Sequence, residues 1–122
     1  MSDVKYEGRP AEHDLYIVRG DTWQQDFIYE SPADTPVDLT GYSARLQVRQ
    51  ARFSDSTLLA LSSDDGDITL DDEGNIQLTA TAAVTALLDF STARYDLELT
   101  SAGGIVTTLL EGEVRLIKDV TR

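Results

Sequence analysis

The sequence predicts an all-β domain, an antiparallel β-sandwich of about eight strands with one short helix. Three observations lead there. Short segments in which apolar and polar residues alternate recur along the chain. Gly, Asp and Pro punctuate them as turns, and one stretch, Thr79–Asp89, breaks the period-two rhythm. The 122 residues suit a single domain. A chain of that size buries about two-thirds of its unfolded surface and needs no staple.

Residues 1–13 (MSDVKYEGRPAEH) are polar, aperiodic and carry Gly8 and Pro10. They are expected to form a flexible N-terminal arm that orders in a complex, ahead of a sandwich domain over residues 14–122. Asp14–Arg19 is the first strand candidate and ends at Gly20-Asp21. In Thr22–Tyr29, Trp23, Phe27 and Tyr29 share a face, opposite Gln24, Asp26 and Ile28. Glu30–Pro36 is a loop, because its two prolines and Asp34 favour turns over ladders. Tyr42–Gln50 is the clearest strand: Tyr42, Ala44, Leu46 and Val48 alternate with Ser43, Arg45, Gln47 and Arg49.

Ala51–Ser56 reads as loop and Thr57–Leu61 as a short buried strand. Ile68–Leu70 and Asn75–Leu78 flank Asp71-Asp72-Glu73-Gly74, a hairpin whose glycine supplies the left-handed residue. In Thr79–Asp89, Thr79 or Thr81 caps a short helix with Val84, Leu87 and Leu88 on its inner face. Ala93–Thr100 returns to alternation, with Tyr95, Leu97 and Leu99 on one side, and Ser101–Gly104 closes a second hairpin. Ile105–Ile117 is long for one strand. Gly112 is expected to mark a bulge or bend, and Val106, Leu110, Val114 and Leu116 the core face.

Composition narrows the function. Formal net charge is −12, and no Lys or Arg lies between Phe53 and Thr92. That stretch holds Asp55, Asp64, Asp65, Asp67, Asp71, Asp72, Glu73 and Asp89. Such a surface repels phosphate backbones, so direct nucleic-acid binding is not expected. It is either a solvated face or a docking face for a basic partner. Cysteine is absent, which removes disulfides and thiolate chemistry. The first residues lack the apolar core of a signal peptide, and no run approaches the ~20 apolar residues of a membrane span. Synthesis in a reducing compartment such as the cytoplasm, without export, and no membrane partner are the expectations.

Chemistry-bearing residues are present but badly placed. The one histidine, His13, lies in the expected arm, where no positioned partner can make it a general base. Asp64, Asp65, Asp67, Asp71 and Asp72 sit in turns, and Ser62–Asp67 (SSDDGD) lacks the spacing of a calcium loop. Gly103-Gly104 has no strand–turn–helix around it and belongs to a hairpin rather than a phosphate cradle. Trp23, Phe27 and Tyr29 could line a sugar platform, but core packing is the preferred use. No residue is assigned as catalytic, cofactor-binding or metal-ligating, no cofactor is expected, and the chain is not read as an enzyme.

The run Val37–Gln50 (VDLTGYSARLQVRQ) resembles a signature of small phage virion proteins encoded near tail and fibre genes. The acidic hairpin Ile68–Leu78, the capped segment Thr79–Leu88, Tyr95–Leu99, Leu110–Val114 and a closing Asp119–Arg122 follow in the same order. The resemblance implies an immunoglobulin-like sandwich, similar to the N-terminal domain of siphophage upper-baseplate proteins. It implies a bacteriophage virion structural protein: a tail, neck or baseplate/fibre-attachment adaptor, bound to other virion proteins and oligomeric within the particle. The arm departs from that pattern, and no fibre or receptor-binding domain is expected after Arg122. Rival expectations are a head decoration (capsid cement) protein and a carbohydrate- or calcium-binding module.

Overall fold

A computed structural model of the chain describes residues 2–51 and 56–118. The expected loop Ala51–Ser56 falls mostly outside those residues, as does the expected closing run Asp119–Arg122. In chain order the elements are β1 (Ser2–Lys5), β2 (Ala11–Glu12), β3 (Leu15–Val18), β4 (Trp23–Glu30), β5 (Ser43–Arg49) and β6 (Thr57–Ser62). There follow β7 (Ile68–Leu70), β8 (Asn75–Ala80), α1 (Ala82–Ala86), β9 (Thr92–Thr100) and β10 (Val106–Ile117). One sheet runs β1-β4-β8-β7. The other runs β2-β10-β9-β5-β6, with β3 also lying on β10.

The all-β sandwich with one short helix is therefore as expected, in two mixed sheets rather than purely antiparallel ones. The pairs from β4 to β10 are antiparallel, whereas β1 lies parallel on β4, and β2 and β3 lie parallel on β10. An antiparallel neighbour arises wherever a short turn returns the chain, but the N-terminal segment has no such turn to its partners. It crosses from one sheet to the other and lies along two edges in the direction it already runs. Those additions bring the strand count among the described residues to ten.

The core fills the space between the sheets with the inward set of each strand. Phe27, Leu46, Ile76, Leu78, Leu97 and Leu109 are each at most 1% exposed. Full burial of such a side chain is favourable by about 1.5–3 kcal/mol. Ala44, Leu46 and Val48 point inward as the alternation of β5 requires, and so do Tyr95, Leu97 and Leu99 of β9.

Three expectations need correction. Val4, in the segment read as burying no face, is 5% exposed and joins the core. In β10 the register shifts between Thr108 and Leu110, not at Gly112, so Leu109 and Leu110 are both buried. Val106, before the bulge, then points outward and is 57% exposed. At α1 the inward residue is Thr85, and Leu88 just beyond the helix is buried as expected, while Leu87 is 84% exposed and Val84 38%. Thr81 is the N-cap, its side chain accepting the Val84 N–H at 3.3 Å.

Candidate interaction surface

The polar groups that the sequence brings to notice are mostly absorbed by the fold. The His13 ring meets Phe27 edge to face, with centroids 5.1 Å apart. Its backbone N–H donates to the Glu111 carbonyl at 3.0 Å, and its own carbonyl accepts the Tyr95 hydroxyl at 2.5 Å. Burial pushes the Tyr95 phenol pKa upward, with the Asp14 charge adding to the shift, so it remains a donor. Next to it, Asp14 Oδ1 accepts the Glu113 N–H at 3.0 Å. His13 and Asp14 thus interrupt β2 and β3 where they pass Gly112 and Glu113, and they pin the N-terminal segment to β10.

Asp71 organises the β7–β8 hairpin. Its Oδ2 accepts the Asn75 side-chain amide at 2.7 Å, and its Oδ1 accepts the Asn75 and Glu73 N–H groups, each at 2.9 Å. The Asn75 side chain first, then these backbone donors, hold its pKa below the usual carboxylate range. Asp67 Oδ2 accepts the Ser62 N–H at 3.4 Å in the preceding turn. Asp64, Asp65 and Asp72 are exposed. Among the described residues no three Asp, Glu or His side chains gather to hold a cation. Trp23 and Phe27 are buried, and Tyr29 packs against the core. Gly103-Gly104 forms the β9–β10 turn, with the Gly104 N–H on the Ser101 carbonyl at 2.9 Å.

What remains outward is a set of surfaces suited to contact. A cavity of about 450 Å³ lies over the outer face of the six-stranded sheet, edged by Tyr6 and Pro10 from the N-terminal segment. Its floor includes Arg49, Arg94 and Asp96, in which Arg49 and Arg94 are cross-strand neighbours. The Asp96 pKa is raised, first by desolvation and then by Glu98, with Arg45 and Arg49 acting in the opposite sense. A second surface is apolar. Tyr16, Leu87 and Ile117 are 56%, 84% and 48% exposed. They lie along one rim, because Val18 is paired with Ile117, and Arg19 bonds both the Ile117 carbonyl and the Ala86 carbonyl. Tyr16 and Ile117 lie inside strand runs whose alternation already points them outward. Nothing local marks Leu87, whose exposure depends on how α1 docks. The sheet edges at β1, β2, β3, β6 and β7 complete the surface.

The chain shares its fold with the N-terminal domain of ORF48 of phage TP901-1, a baseplate protein. The TM-score is 0.56 at 11% sequence identity, covering 97% of this chain and 100% of that domain. The sequence-based resemblance to the N-terminal domain of a phage baseplate protein is met at the level of fold. Extracellular domains 3–5 of Drosophila OTK also overlap, with a TM-score of 0.36 and 12% identity over 84% of this chain and 32% of that one. No family model matches the chain, and no curated protein is similar to it in sequence.

Proposed function

We propose that this chain is a structural component of a bacteriophage particle, an adaptor of the tail, neck or baseplate that acts through protein–protein contacts without catalysis. The observation that carries the reading is the fold match along the full length of the ORF48 domain. The fates of His13 and Asp71 support it, since both side chains or their backbones serve the fold rather than a reaction. In this reading residues 1–13 form an arm and residues 14–122 the body. The protein is made in the host cytoplasm and is oligomeric once in the virion. A net charge of −12 disfavours contact with DNA and favours partner surfaces that are basic. Among the described residues no helix is long and apolar enough to cross a membrane.

Imaging purified particles with an antibody or tag on this chain tests the proposal. Label at the tail tip, neck or baseplate is the expected result. Label over the head would make the protein a decoration of the capsid instead, and particles without label would overturn the structural role.

A further inference from the structure

We propose that β1 exchanges between copies of this protein, Ser2–Lys5 of one molecule taking the β4 edge of its neighbour. The proposal builds on the assembly role above and names the contact that would join adjacent subunits.

The N-terminal segment is held unequally along its length. At its root, His13 is fixed by hydrogen bonds to Glu111 and Tyr95, and Asp14 by the Glu113 N–H. At its tip, β1 pairs on one side only, through a four-residue register on β4. It inserts one buried apolar side chain there, Val4. The accompanying ion pair, Lys5 with Asp34, is open to solvent, with side chains 35% and 75% exposed. Solvent screens a pair in that setting, so it holds the strand only weakly. Such a strand opens locally at much less than the free energy of global unfolding.

The connection permits redirection. Glu7, Gly8 and Arg9 are exposed, and Gly8 has φ +88° with open space around it. Rotation at Gly8 swings β1 while the root stays seated on β10. No hairpin ties β1 to its partner, because residues 6–22 lie between the end of β1 and the start of β4.

The occupant follows from the site. When β1 leaves, the β4 edge is a row of backbone donors and acceptors beside the apolar place of Val4, a template for another strand. The segment the structure shows to fit is Ser2–Lys5, in parallel register with Val4 beside Tyr29 and Lys5 beside Glu30. A second copy supplies the same contacts, so exchange loses none of them. The crowding of copies in a particle then favours the intermolecular arrangement by mass action.

The chain lacks cysteine, which makes the test direct. Full-length Lys5→Cys is mixed with full-length Glu30→Cys under mild oxidation and compared with Lys5→Cys mixed with Asp72→Cys, an exposed hairpin position. Neighbouring strands lie about 4.8 Å apart, within the Cα range of a disulfide. Exchange is expected to give several-fold more hetero-disulfide in the first mixture, with the excess removed when Val4→Asp is added to the Lys5→Cys chain. Equal yields in the two mixtures, or an excess indifferent to Val4→Asp, would overturn the proposal. Labelled particles without hetero-disulfide would remove the exchange and leave the assembly role. Hetero-disulfide in the free protein with unlabelled particles would do the reverse.

Discussion

The carbonyl of His13 occupies the space that a side chain on Gly112 would need, so the N-terminal segment can cross β10 only where β10 has no Cβ. A glycine inside a long strand often marks such an approach by a second backbone. Gly112→Ala should therefore destabilise the domain by about 1–3 kcal/mol, the usual range for overpacking. Gly103→Ala provides the comparison, since its nearest non-neighbour atom is 3.8 Å from the added carbon. It should stay within about 0.5 kcal/mol. Urea unfolding of the two variants beside the parent checks both values.

The two faces of β5 should respond in opposite ways. Leu46 is 1% exposed at the centre of the core, and Leu46→Ala should cost about 2–5 kcal/mol through lost transfer energy and the cavity left behind. Arg45 lies on the outer face and meets Glu98 at 3.0 Å, with its side chain 57% exposed. Screening by solvent keeps such a pair weak, so Arg45→Ala should change stability by no more than about 0.5 kcal/mol. Equal losses in a thermal-melt comparison would mean that the strand register is wrong by one residue.

The strands most legible in the sequence are those whose pattern is local. Tyr42–Gln50 and Ala93–Thr100 carry unbroken alternation, and both contain strands with the expected residues inward, except that Tyr42 lies just before β5 and is half-buried. The bulge in β10 was hidden because Leu109-Leu110 reads as one inward and one outward residue until the pairing with β9 is known. The edge strand β1 was hidden for a related reason. Val4 is thin evidence alone, and the edge that receives it belongs to β4, far along the chain. Of the surface groups, the acidic residues Asp71 and Asp72 and the glycines Gly103 and Gly104 fall in the turns their sequence suggests, because turn geometry is also local. The apolar rim at Tyr16, Leu87 and Ile117 depends on tertiary docking and could be read only in part.

Acid should loosen the β7–β8 hairpin before the rest of the domain. The Asp71 carboxylate accepts from Asn75 and Glu73, and its pKa in the folded state lies below the ordinary aspartate value. A depressed carboxylate stabilises the fold above its unfolded pKa of about 3.9, and that contribution disappears as pH falls through the lower folded value. Amide exchange at Glu73 and Asn75 should accelerate over that acid window relative to Leu97 and Leu99. In Asp71→Asn the pH-dependent part of that acceleration should vanish, while exchange in β9 stays as in the parent.

The short helix offers a reversal of what its sequence suggests. By apolar pattern Leu87 should anchor α1, yet it is 84% exposed, while Thr85 is fully buried. The Thr85 hydroxyl accepts the Gly20 N–H at 3.0 Å and donates to the Asp21 carbonyl at 2.7 Å, which ties the helix to the β3–β4 turn. Arg19 Nε adds a bond to the Ala86 carbonyl at 3.3 Å. Thr85→Val keeps the shape but removes a donor and an acceptor from a shielded place. Leaving buried polar groups short of partners costs about 1–3 kcal/mol, so Thr85→Val should lower the melting temperature by several degrees. Leu87→Ser gives up little buried area and should be nearly neutral, within about 0.5 kcal/mol. The ranking is the test: a Leu87→Ser variant less stable than Thr85→Val would mean that α1 docks through its apolar face after all.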